Sequence, residues 1–493
     1  MTRSQRFRAS LAITGPWRWL PLAYEARLPT VGTLAHRTTP MVMISLALLA
    51  LLACDPEPQP TAAPSAGPTA KASSPAGSRT PQVRRPHSTK SSAAERQTLA
   101  TAKIIVADLA RSKNITTPTN FGLQLVDRRA IRTFVQGALY EQMTPKQIRL
   151  LGRVEASLGV IPLGTDGETL LLDMYEDGVL GIYDPRTKNI LIGNFVDKTA
   201  LGMVVGHEAA HGIQDMTFDL ASLQVTHAGQ SDRDSAKTFL IEGDAQATYL
   251  AWVAGDAGLQ AIGDDVLRAQ ANMSLTMADS LTPYSILARL MQMPYTDGTA
   301  TVIQLAKAEG RSAVDALFRH LPETTEQMLH LDKLRSREAA KTIIIDWQLL
   351  EDASSGHRVV WADDIGEAGL LAMLAEVEDP ETARRGAAGW GGDGYIALDA
   401  KTPAEAPIVI GMIAWDKISD AREFETMFRR YLKQVTSGDY FLSRRGNKVA
   451  YGTRLAGAKI PLEAAVWKAI SVAKPGVTGR RPPPSLGSRS PHS

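Results

Sequence analysis

The five residues His207-Glu208-Ala209-Ala210-His211 constrain this chain more than any other feature. On a helix, residues four apart share a face, so the two imidazoles can reach one metal ion while Glu208 projects beside it. The flanks suit a buried helix. Leu201-Gly202-Met203-Val204-Val205-Gly206 is apolar with small residues, and Gly212-Ile213-Gln214-Asp215 continues the pattern before Phe218-Asp219-Leu220.

Two histidines and a carboxylate so spaced form the HExxH arrangement of zinc hydrolases, in which the glutamate takes a proton from water. Zinc prefers four ligands, and a catalytic site keeps one place for water, so the motif is one protein ligand short. Glu242 fits that place. It follows Phe239-Leu240-Ile241 and precedes Gly243-Asp244-Ala245, within a helical stretch from about Asp234 to Trp252. A carboxylate among apolar and small residues is costly to bury unless it is paired or metal-bound. His227, in a polar Thr-His-Ala-Gly segment, is the rival ligand. A donor to a developing oxyanion is also needed, for which His330 and Tyr295 are candidates. Asp215 and Asp244 are placed to accept hydrogen bonds from the ligand histidines' N–H groups, although Asp215 could equally cap or pair locally.

Several segments together resemble bacterial gluzincin-type metallopeptidases. They are Gly181-Ile182-Tyr183-Asp184-Pro185 with Asn189-Ile190-Leu191-Ile192, then HEAAHGIQD, FDL and IEGDA. The likeness extends through Met293-Pro294-Tyr295-Thr296-Asp297-Gly298, Thr325-Glu326-Gln327-Met328-Leu329-His330 and Gly389-Trp390-Gly391-Gly392-Asp393, covering about residues 100–430. The resemblance implies a zincin-like domain with His207, His211 and Glu242 as zinc ligands and Glu208 as general base. It also implies that an edge strand beside the site pairs with extended substrate; Ile190 to Asn194 is the candidate, with a plain hairpin strand as the alternative. Ala209-Ala210, Leu331 and Gly394 depart from the residues common in that group.

The single cysteine among 493 residues, Cys54, excludes an internal disulfide and a thiolate zinc site. It follows the apolar run Met41 to Ala53, which is too short to span a bilayer but matches a signal-peptide core. Leu51-Leu52-Ala53-Cys54 resembles a lipobox, which predicts a signal segment over 1–54 and lipidation of Cys54; an ordinary cleaved signal or a buried core segment are the alternatives. Arg37 would supply the positive flank if translation starts later than Met1. Residues 55–92, rich in Pro, Ala, Ser and Thr, predict an extended tether, and residues 475–493 a disordered tail. Without residues 1–54 the chain carries 48 basic and 51 acidic residues, a balance of −3 that argues against nucleic acid as a partner.

The patterning predicts an α+β protein. A mainly helical domain over 93–350 carries a small antiparallel sheet, and a smaller α+β domain occupies 356–474. Helices are expected at 93–112, 127–142 and 144–158, strands at 169–175, 178–184 and 189–193, and mostly helix from 198 to 330. Beyond that, a helical region at 365–386 interrupted near Asp379-Pro380 precedes a βαβ-like region. Its strands fall near 394–399, 407–415 and 438–453, with helices at 419–433 and 461–471. Gly389 to Gly394 reads as a tight turn exposing Trp390, or as a loop touching substrate. The functional expectation is a lipid-anchored zinc endopeptidase acting on peptides or proteins of the cell envelope, with murein peptides as another substrate class. The alternative is a non-catalytic envelope binding or assembly lipoprotein with a structural or decayed zinc site.

Overall fold

In the computed structural model, residues 92–113, 115, 121–223, 225–281, 283–354, 357–399, 406–455 and 462–474 are described. The signal segment with Cys54, the tether up to Ser91 and the 475–493 tail lie outside them. Local caps set the first helices. Ser92 and Glu95 form a capping box at the start of Ala93–Ser112. Asp127 caps Arg128–Gln142, and Thr144 with Gln147 caps Pro145–Leu158, where Pro145 sits in the first turn.

Residues 169–175 are not a strand. Asp166 accepts from the Glu168 and Thr169 N–H groups and starts a helix, Gly167–Gly178, which packs on Arg128–Gln142 and Pro145–Leu158. Its Leu170-Leu171-Leu172 run reads as a strand locally, but the cap and the helical neighbours decide. The first sheet is therefore Gly181–Asp184 and Asn189–Gly193, antiparallel, joined by a strand that the sequence pattern did not single out, Gly122–Val126. That third strand pairs parallel with Asn189–Gly193. The sheet is thus mixed, and Ile190 to Asn194 is not an edge: Asn189–Gly193 lies in the centre, and Gly181–Asp184 is an outer strand.

The HExxH helix, Leu201–Phe218, packs across this sheet through Leu201, Val205, Ala209 and Ala210 against Tyr183, Ile190 and Ile192. Val204 and Val205 are fully buried, each contributing roughly 1.5–3 kcal/mol. The Glu242 helix, Ser231–Ala254, lies against it, and against a helical run over 285–309. That run contains a π-helical turn at Pro294–Gly298, where proline has no N–H to give the α-helical ladder.

The C-terminal region forms a five-stranded antiparallel sheet built from Val359–Asp363, Trp390–Leu398, Ile408–Trp415, Lys448–Thr453 and Tyr440–Arg445, in that spatial order. Helix Ile418–Thr436 connects Ile408–Trp415 to Tyr440–Arg445, two strands that run parallel with Lys448–Thr453 between them, so the crossover is βαβ-like with a strand inserted. Helices Gly366–Leu374 and Pro380–Ala387 are separated at Asp379, which caps the second. Trp390 is 2% exposed and donates its ring N–H to Asp393 at 3.0 Å, so the Gly389 to Gly394 run buries this tryptophan rather than exposing it.

The two regions do not divide at 350–356. Thr342–Ile345 pairs with Ile470–Ala473, and one apolar core runs from Val154 and Phe239 to Trp415, Phe428 and Tyr451. Tyr431 also donates its hydroxyl to the Leu158 carbonyl at 2.8 Å. Among the described residues, no helix is long and apolar enough to cross a membrane.

Candidate metal centre

Two helices converge on one point. His207 Nε2 and His211 Nε2 lie 3.1 Å apart, and each lies 3.2 Å from Glu242 Oε2. All three residues are buried. Three ligand atoms on a tetrahedral zinc at about 2.0–2.1 Å would be spaced by roughly 3.3 Å, close to this triangle.

The hydrogen bonds behind the rings define its chemistry. Gln214 donates through Nε2 to the Ile241 carbonyl and to Asp244 Oδ2, both at 2.9 Å, which turns its Oε1 toward His211 Nδ1 at 2.9 Å. An amide oxygen only accepts, so His211 carries its hydrogen on Nδ1 and offers a lone pair at Nε2. Gln246 Oε1 stands 3.2 Å from His207 Nδ1 and acts the same way. Two imidazole lone pairs and a carboxylate oxygen then face one another, a donor set that could hold one metal ion. Without a cation, a proton is the substitute. Burial lowers the His211 pKa, but the Glu242 charge and hydrogen bond outweigh it and bring it up to about 9. Burial likewise raises Glu242, and the two histidines outweigh that and bring it down to about 2. Burial, opposed by Glu242, lowers His207.

Close backbone packing builds the site. A Cβ on Gly243 would lie 2.4 Å from the Gly298 carbonyl carbon, so only glycine lets the π-helical turn approach the Glu242 helix here. That turn sets the Tyr295 ring 5.5 Å from the His207 ring. Glu208, fully buried, points to the sheet, where its Oε2 accepts the Tyr183 backbone N–H at 2.7 Å. Half-buried Tyr175, which the sequence pattern does not single out, packs on the apolar cluster that contains Tyr295. Its helix leads into the outer strand, and burial, then the Glu242 charge, push its pKa up to about 12.

Other expected residues fall elsewhere. His330 belongs to a different cluster: its Nε2 meets Glu367 at 2.7 Å, and the other charges acting on it are Glu326 and Asp332. The adjoining Thr325–Leu329 helix packs near Asp232, whose carboxylate Thr325 contacts. Ten residues separate Asp232 from Glu242, roughly 15 Å along their helix. Among the described contacts, His330 Nε2 is engaged by Glu367, and none joins it to His207, His211 or Glu242. Asp215 does not touch a ligand histidine either; it accepts from the Tyr183 hydroxyl at 2.7 Å, the Leu220 N–H at 3.1 Å and the Lys188 ammonium. Asp244 is one bond further out than expected, holding Gln214 and pairing with Arg311. His227 pairs with Asp234 at 2.9 Å. The direct histidine partners, Gln214 and Gln246, had a sequence signal: they lie three residues after His211 and four after Glu242, on the same helix faces.

A second carboxylate group, Glu326, Glu338 and Asp416, has the spacing of a cation site. The Lys333 ammonium already fills it, at 3.2, 2.5 and 2.7 Å from those residues.

Residues 357–461 match a domain family of unknown function, DUF8575, which begins just before the first strand of the five-stranded sheet. No curated protein and no solved structure matches the chain.

Proposed function

We propose that this chain is a zinc-dependent endopeptidase of gluzincin type with a zincin-like catalytic domain, and that a lipid on Cys54 tethers it to a membrane of the cell envelope. The observation that carries the reading is the buried triangle of His207, His211 and Glu242, with Glu208 beside it on the same helix. When bound, zinc supplies Lewis acidity to a peptide carbonyl and to water.

The protein's own residues do the rest. Gln214 and Gln246 fix the ring hydrogens on Nδ1 and keep both Nε2 lone pairs turned inward. Glu208 takes the proton of the attacking water and delivers it to the leaving amine. Tyr295 covers His207 and limits water on that side. Tyr175, packed on the cluster that contains Tyr295, is the phenol we assign to the oxygen that gains charge as the carbonyl is attacked, in preference to His330, whose Nε2 is engaged by Glu367. Gly181–Asp184 is the outer strand of the first sheet, but its outward Tyr183 N–H is taken by Glu208 and the strand is buried under the helix, so no strand of this sheet is assigned to an extended peptide.

The test is zinc content and peptide hydrolysis in wild type and in Glu208→Gln. Hydrolysis lost with zinc retained supports the peptidase. Zinc retained with no hydrolysis by either protein, across protein and murein-peptide substrates, turns the reading to an envelope binding lipoprotein with a structural zinc.

A further inference from the structure

The outer strand of the first sheet is fastened to the HExxH helix at two points through one residue. Tyr183 donates its backbone N–H to Glu208 Oε2 and its hydroxyl to Asp215 Oδ2, both at 2.7 Å. Glu208 and Asp215 are seven residues apart, two helical turns and roughly 10.5 Å, so they share a face. His211 lies between them and His207 directly precedes Glu208. The tyrosine therefore spans the stretch that carries the metal motif. Tyr183 and Glu208 are fully buried and Asp215 is 5% exposed, so solvent does not compete for either bond.

The strand register produces the first bond. Gly193 donates to the Leu180 carbonyl, which makes residues 180 and 182 the ones whose backbone groups face the neighbouring strand. Gly181 and Tyr183 consequently present their N–H groups outward, to the helix. Gly181 allows the approach, since a Cβ there would lie 2.6 Å from Val204 Cγ1 and 3.0 Å from Glu208 Cγ. The second bond is reinforced from the turn. Lys188, at φ +55°, brings its ammonium to Asp215, and the Leu220 N–H adds a bond at 3.1 Å. Asp215 is thereby a charged anchor with three donors, and the Tyr183 ring it holds also meets Phe121 edge-on at 5.8 Å between centroids.

We infer that Tyr183 and Asp215 are positioning residues for Glu208: Asp215 fixes the tyrosine, and the tyrosine's backbone N–H fixes the carboxylate that exchanges the proton. The inference deepens the peptidase reading and rests on it for its catalytic consequence. The hydrogen bonds themselves do not depend on it. It also accounts for the outward N–H of Tyr183 serving the helix instead of a further strand.

The experiment has two independent readouts on the full chain. The first is exchange protection of the Tyr183 amide. It is expected to be high in wild type and to fall by about tenfold or more in Glu208→Ala, and also in Tyr183→Phe and Asp215→Asn. The second is kinetic. Tyr183→Phe and Asp215→Asn are expected to lower kcat about tenfold with KM and zinc content unchanged. Tyr183→Phe keeps the buried ring, so it separates loss of the anchor from loss of packing. Unchanged amide protection in Tyr183→Phe and Asp215→Asn would overturn the inference whatever the activity. If no variant and no wild type hydrolyses peptides but the amide pattern appears, the peptidase reading fails while the anchoring stands.

Discussion

Gly243 and Gly298 meet backbone to backbone, on two helices whose neighbours Glu242 and Tyr295 both belong to the metal triangle's surroundings. A Cβ on Gly243 would approach the Gly298 carbonyl carbon to 2.4 Å, and one on Gly298 would approach the Phe239 carbonyl oxygen to the same distance. Neither atom is the tip of a flexible side chain, so the helices must part. Gly243→Ala is expected to destabilise the protein by about 1–3 kcal/mol or more in chemical denaturation, and to weaken zinc binding because Glu242 moves with its neighbour.

Asp244 acts on His211 through Gln214. Removing the amide in Gln214→Leu frees His211 to change tautomer, and Asp244→Asn weakens the grip on that amide. Each should reduce zinc affinity by about 10–100-fold in competition with a chelator, Gln214→Leu the more strongly. Unaltered affinity in both would remove the tautomer argument.

The convergence of His207, His211 and Glu242 was legible in the sequence because helical spacing alone brings the two histidines together, and Glu242 stood out as a charge in an apolar stretch. The sheet was less legible. Gly122–Val126 joins Asn189–Gly193 from more than sixty residues away, a pairing that no local pattern encodes, and it turned the expected edge into the centre. The helix at Gly167–Gly178 was obscured by three consecutive leucines, whose period fits either structure; the Asp166 cap was the better signal. For His330, a motif position carries no information on which cluster a loop residue joins. It sits with Glu367.

Stability should depend on pH through carboxylates buried where the Glu242 helix begins. Burial, then the charges of Asp393 and Glu367, bring the Asp232 pKa up to about 7; burial, then the Asp363 charge, brings Asp393 to about 6; and burial with the charges of Asp232, Asp393 and Asp363 holds Asp364 well above the usual range. A raised carboxyl pKa in the fold means that the folded state keeps protons the unfolded chain has released. Its stability contribution is therefore intact below about pH 4 and is lost as pH rises toward about 7. Metal-free protein should show the same trend further up, as His211 loses its proton between its ordinary range and about 9. Below pH 4 the depressed Glu242 works in the opposite direction. Melting temperatures of the metal-free protein should fall from pH 4 to pH 7, with a shallower slope in Asp364→Asn. A rise over that interval would contradict the assignment.

Lys333 neutralises three carboxylates that are otherwise close enough to bind a cation. Glu326 among them already has its pKa pushed up to about 8, by burial and then by the Glu367 charge, with Lys333 opposing. Lys333→Met should raise it further and lower the melting temperature at neutral pH more than at pH 5. Equal loss at both pH values would show that the lysine's stem, not its charge, matters there.

The central claim is tested most directly by elemental analysis of the purified full chain beside Glu242→Ala. The account predicts close to one zinc per wild-type chain, and its loss from a mutant that remains folded by circular dichroism. A folded wild-type protein that takes up no zinc, or a mutant that keeps it, would contradict the claim that His207, His211 and Glu242 form the metal centre.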